Sequence, residues 1–171
     1  MKKLIVLLSV CLLSAGYTFG QKFAYVNTEL ILESMPEYTE AQEQMDKLSK
    51  KWQESIEQKY AEIDRLYQEY KAEKILLTEE LRQKREKEIT EKEKELQKFQ
   101  KEKFGVSGEL FKTRQKLIKP LQDKIYEALQ DLATRNNYAL IMDLAGNSNI
   151  LYSQSRYDKT DLVIKKLGYS K

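Results

Sequence analysis

The sequence predicts an α+β fold that is mostly α: a small β body with a long helical coiled-coil hairpin inserted into it. Three observations carry this reading. From Glu37 to Lys103 there is neither Gly nor Pro, the two residues that most oppose a helix interior. Apolar residues within that stretch recur at spacings of three and four, the pattern of a helix seam. Short β-prone segments occur only on either side of the helical stretch. Such strands are too short to be stable alone and most simply share a sheet, so the insert must leave the sheet and come back to it.

Residues 1–20 precede the fold. Lys2 and Lys3, the apolar run Leu4 to Ala15 and the small, uncharged stretch to Gly20 have the make-up of a secretory signal peptide. The run is too short to span a membrane, and cleavage is expected after Gly20. Val10 before Cys11 does not suit a lipoprotein signal. Cys11 is the only cysteine and there is no histidine, so the mature chain is expected to carry neither thiol nor imidazole. Zinc sites, His bases and Cys nucleophiles are thereby excluded, and there is no Gly-rich phosphate loop. The chain reads as no enzyme, with no cofactor. The 30 Lys and Arg include Lys2 and Lys3 and face 27 Asp and Glu, which leaves about +1 from Gln21 onward. Nucleic-acid-binding chains lean strongly to one sign, and this one does not.

"KFAYVN" (Lys22 to Asn27) reads as a strand because of its Phe, Tyr and Val. Thr28 is expected to cap a short helix with Glu29 in its first turn, and Pro36 to end that helix or open the next. The long helix then carries one seam through Tyr38, Ala41, Met45, Leu48 and Trp52. After a four-residue stutter the seam continues as Ile56, Ile63, Tyr70 and Leu77, with Tyr60, Tyr67 and Leu81 as a companion row. Trp52, at an a-type position, is expected to pack between helices. Between Arg82 and Lys103, 15 of 22 residues are charged and the stripe thins to Ile89, Leu96 and Phe99, which describes a helix solvated on most sides. Gly105 and Gly108 interrupt the pattern. The stripe returns in Leu110, Leu117, Leu121, Ile125, Ala128, Leu129 and Leu132, with Pro120 inside it and a kink expected there. Tyr138 to Gly146 and Ile150 to Gln154 read as two strands of a β-hairpin around "GNSN", because turn residues separate two β-prone runs. Tyr157 to Gly168 reads as a terminal helix closed by Gly168.

The body is therefore expected from residues 21–36 and 137–171, and the helical hairpin from 37–136. A hairpin that returns to its base needs arms of similar length. Were Gly105 the tip, about 67 outgoing residues would span ~100 Å and about 28 returning ones ~42 Å. The tip is thus expected near 76–86, with Thr78 as N-cap and Glu79 and Glu80 in the first turn. Residues 104–109 become a joint in the returning arm. That joint and Pro120 are expected to lend flexibility, and Ala at Gly105 and Gly108 to raise helicity.

"FAYVN", the charged helical insert and the closing "LIMDLAGNSNILYSQSRYDKTDLVIKKLG" resemble the Skp/OmpH family of periplasmic chaperones. "MPEYTEAQEQMDKLSKKWQ" and "FGVSGELFKTRQKLIKPLQDKIYEAL" are similar to its Bacteroidetes-type branch, and the resemblance covers the whole mature chain. It implies a periplasmic homotrimer in which short strands of three chains form a barrel-like body. It also implies that helical tentacles enclose a cavity for unfolded outer-membrane proteins, held without ATP. Well-known members are strongly basic, whereas this chain is nearly balanced, so no lipid or lipopolysaccharide site is carried over.

On that reading Tyr60, Tyr67, Tyr70 and Phe99 are candidates for contact with client, since aromatics combine apolar area with a polar tip. Packing between the two arms is the plainer role for the tyrosine row. Phe23, Tyr25, Val26, Leu140, Met142 and Leu151 are candidates for the trimeric body. The alternative to a holdase is a structural coiled-coil protein of the envelope that binds no unfolded chain.

Overall fold

The structure, a computed structural model, describes residues 21–146 and 150–169. The expected signal peptide, and most of the "GNSN" turn, lie outside the described residues. The elements run β1 (Lys22–Val26), α1 (Thr28–Glu33), α2 (Pro36–Glu73), α3 (Glu79–Phe104), α4 (Glu109–Asn136), β2 (Tyr138–Asp143), a 3-10 turn (Ser155–Tyr157) and α5 (Thr160–Lys166). This is the mostly α, α+β fold that the sequence predicts. The chain divides into two units: Leu32–Lys124, and the residues up to Ile31 together with those from Ile125.

In the smaller unit β1 and β2 form a two-stranded parallel sheet, with Phe23 opposite Leu140, Ala24 opposite Ile141 and Tyr25 opposite Met142. Parallel neighbours need a long crossover, and the helices between the strands supply it. The expected β-hairpin is not formed: Ile150 to Gln154 is not a strand. β1 is paired on both of its edges. One edge carries β2, and on the other the backbone N–H of Lys159 donates to the Tyr25 carbonyl at 2.9 Å, with a parallel bridge from Tyr25 to Asp158. That leaves Ile150 to Gln154 no place beside β1, and among the described residues the outer edge of β2 has no partner strand.

Side chains from far along the sequence close this unit. Asn27, rather than the expected Thr28, caps α1: its Oδ1 accepts from the N–H groups of Glu29 (3.0 Å) and Leu30 (3.1 Å). Thr28 is drawn instead to Asp143, donating through its hydroxyl at 2.6 Å and its N–H at 3.1 Å. The Thr160 hydroxyl oxygen accepts from Asn27 N–H at 3.0 Å. Asx-type bonds of this kind satisfy backbone donors left over at element ends. Ala24, Val26, Ile31, Val163 and Ile164 are buried, as are Ile125, Ala128 and Leu132 on α4. Lys166 pairs with Asp131, which ties α5 to α4. Asn137 (φ 56°) closes α4, and Gly168 (φ 89°) follows α5, where Tyr169 N–H reaches back to the Ile164 carbonyl at 3.1 Å. A left-handed residue just past a helix is the usual stop.

In the larger unit α2 opens at Pro36, where a missing N–H costs nothing. Residues 74–78 reverse the chain. The Thr78 hydroxyl oxygen accepts from Leu81 N–H at 3.4 Å, and Arg82 Nε donates to the Lys74 carbonyl at 2.9 Å. α3 then runs antiparallel to α2. A short non-helical link at Gly105 to Gly108 separates α3 from α4, and Lys124 on α4 faces Glu37 on α2 at 3.8 Å. α4 stays helical through Pro120, which stands on its exposed side.

Candidate functional site

The contact between α2 and α3 is a narrow apolar seam bordered by polar pairs. Trp52, Tyr70, Ile89 and Leu96 are buried in the chain. Phe104 meets Trp52 edge-on at 5.8 Å between ring centroids, a favoured geometry for two aromatic quadrupoles. Further along, Gln100 donates to the Tyr60 hydroxyl at 3.3 Å and Lys92 pairs with Glu62 at 2.9 Å. Near the reversal the Tyr70 hydroxyl donates to Glu86. These partners advance along α2 as they retreat along α3, so one register holds from Trp52 to the reversal.

The electrostatics follow the pairing. The hydrogen bond and charge of Lys92 hold the Glu62 carboxyl below its ordinary value, and Glu62 raises Lys92 in return. The hydrogen bond to Glu86, then burial, raises the Tyr70 hydroxyl. No described set of three or more acidic, His or Cys side chains could hold a metal ion. None of the described helices is long and apolar enough to cross a membrane.

The candidate contact residues separate on this frame. Tyr60 and Tyr67 are 53% and 54% exposed, whereas Tyr70 is 7% exposed. Phe99 is half-buried, with Lys59 and Lys103 each 5.7 Å from its ring centroid. Tyr60 and Tyr67 are seven residues apart, so they share a helix face and form a pair of accessible aromatics beside the seam.

The body candidates separate as well. Successive strand residues point to opposite faces. Ala24 and Val26 are buried on one face, while Phe23 and its register partner Leu140 are 43% and 50% exposed on the other. Tyr25, also on that second face, is buried, and its partner Met142 is half-buried. A cavity of about 440 Å³ opens here, lined by Phe23, Tyr25, Met142, Ile150, Tyr152 and Tyr157 among others. Leu151 is 101% exposed and Tyr152 80%. An apolar strand face, an open strand edge and an unpaired apolar segment thus lie in one small unit.

Residues 22–167 match the family model described as outer membrane protein (OmpH-like). The chain belongs to the OmpH-like family. Among solved structures, a candidate outer membrane chaperone (OmpH-like) from Caulobacter crescentus CB15 superposes with a TM-score of 0.66 at 11% identity. The match covers 88% of this chain and 86% of that one, and it shows a shared fold. Comparison with curated proteins gives no match.

For this OmpH-like chain, sequence reasoning passed over several residues that organise the structure. Lys103 and Phe104 meet Trp52, Glu109 pairs with Lys103, Gln100 reaches Tyr60, and Asp143 holds Thr28. Lys103, Glu109 and Gln100 sit in strongly polar stretches of sequence where one polar residue looks like another. Asp143, at the end of a strand and 115 residues from its partner, gives no local signal.

Proposed function

We propose that this OmpH-like protein is an ATP-independent holdase of the periplasm that binds unfolded outer-membrane β-barrel proteins and keeps them from aggregating. The observation that carries the reading is the pair of accessible tyrosines, Tyr60 and Tyr67, beside a helix seam that is already filled by Trp52, Ile89 and Leu96. Unfolded barrel chains offer alternating apolar residues and unpaired strand edges. Many weak aromatic contacts suit such a target, because they ask for no particular sequence. Tyr70, committed to Glu86 and buried, supports the helix pair and leaves client contact to its two neighbours.

The working form is a homotrimer. Phe23, Leu140, Leu151 and Tyr152 expose apolar area in a unit too small to bury a large core alone, and the free edge of β2 can accept a strand from another copy. Residues 1–20 direct export and are removed, and the helical arms of three chains surround the client. The test is dilution of a urea-unfolded barrel protein with and without the protein at one trimer per client, followed by turbidity. Suppression is expected for the wild type and a weaker effect for Tyr60→Ser/Tyr67→Ser. Full aggregation with the wild type present would leave the structural coiled-coil reading in its place.

A further inference from the structure

Three helices converge on Lys103. Its ammonium lies 5.1 Å from the Trp52 ring centroid on α2 and 5.7 Å from that of Phe99 on α3. The same ammonium pairs with the Glu109 carboxylate at the start of α4. Phe104, the last residue of α3, packs its edge on Trp52. The link spanned by this pair is narrow. Gly105 N–H donates to the Lys101 carbonyl at 2.9 Å, and Gly108 N–H to the Gly105 carbonyl at 2.8 Å. A Cβ on Gly105 would stand 2.4 Å from the Lys101 oxygen, and one on Gly108 2.9 Å from backbone atoms of Gly105 and Lys103. The chain is folded tightly on itself here, and Lys103 with Glu109 ties the two helix ends together across the fold.

The tie has the properties of a latch. The Lys103 side chain is only 21% exposed, so its charge is less screened than that of an open surface pair. A cation over an indole face is further held by the ring quadrupole. Both attractions fall as ionic strength rises, whereas the apolar packing of Trp52 on Phe104 does not. Val106, at the outside of the turn, is exposed. We propose that Lys103, Trp52 and Glu109 form an electrostatic latch that holds the α3–α4 joint in one bend, so that ionic strength sets the stiffness of the arm. The inference is independent of the chaperone reading, since it concerns the joint alone.

Trp52 is the sole tryptophan in the chain, so its fluorescence reports the latch directly. The experiment follows acrylamide quenching of Trp52, and hydrogen exchange at the amides of Gly105 and Gly108, in the full chain between about 0.02 M and 1 M salt. For the wild type both are expected to rise several-fold with salt. Glu109→Gln is expected to show the high-salt values already at low salt. Glu62→Gln, which removes an ion pair elsewhere between α2 and α3, is expected to behave as the wild type does. The charge swap Lys103→Glu with Glu109→Lys is expected to restore amide protection while leaving Trp52 more quenchable, because a carboxylate is not attracted to the ring face. The swap and the wild-type salt series decide the matter if Glu109→Gln fails to fold. Quenching and exchange that ignore salt, or a swap that leaves the amides unprotected, would overturn the latch.

Discussion

Tyr60 and Tyr70 stand on one helix with the same side chain and do different work. Tyr70 is buried and its hydroxyl donates a hydrogen bond to Glu86, while Tyr60 is half exposed and accepts one from Gln100. Tyr70→Ser is therefore expected to lower the melting temperature more than Tyr60→Ser or Tyr67→Ser, with Tyr70→Phe between. Equal effects in thermal melts would contradict the division. Glu62 and Lys92 carry a pH dependence. The Glu62 carboxyl is held below its ordinary 4.5, so its contribution is present above that value and is lost as pH falls through the lowered one. Lys92 is raised above 10.5, so its contribution is present below that value and is lost as pH rises beyond it. The melting difference between wild type and Glu62→Gln is expected to be steady near neutrality and to shrink at both extremes. A difference that grew toward acid would contradict the pairing. Of these roles, only the helical spacing of the tyrosines was legible in the sequence. Which one turns inward depends on how α3 lies against α2, and the charge-rich stretch Arg82 to Lys103 gives few apolar landmarks for that.

At the scale of elements, legibility followed locality. The seam Tyr38 to Trp52 and the cap at Thr78 are short-range patterns, and α2 and α3 follow them. The segment "ILYSQ" has strand-like composition, yet composition is a weak guide to strands, and among the described residues it stays outside the sheet while β2 pairs with β1 alone. Sequence alone predicts that Ala at Gly105 and Gly108 raises helicity. The structure gives them a steric duty, because a Cβ at either position meets backbone oxygen within 3.0 Å. Gly105→Ala with Gly108→Ala is expected to destabilise the chain by roughly 0.5–3 kcal/mol, the usual range for a substitution, because the added Cβ atoms force the link to shift. Urea unfolding checks it. An unchanged or higher midpoint would mean that the link can straighten into continuous helix without cost.

For the whole molecule, the proposed function assigns the body surface to association with other copies and the tyrosine pair to client. Leu151 is fully exposed in the single chain, so Leu151→Asp leaves no cavity in the folded unit. It is expected to disrupt the trimer while preserving helix content, as seen by light scattering beside circular dichroism. A variant that still scatters as three chain masses would remove Leu151 from the interface. The family was legible in the sequence because its motifs lie in both end segments, whereas the assembly depends on surfaces that only a partner completes. The central claim, a holdase for unfolded barrel chains, is tested most directly by turbidity of a barrel protein diluted from urea. The account predicts that one trimer per client keeps the solution clear without ATP, and that Tyr60→Ser/Tyr67→Ser, still trimeric, protects less. Unchanged aggregation in the presence of the folded wild-type trimer would contradict it.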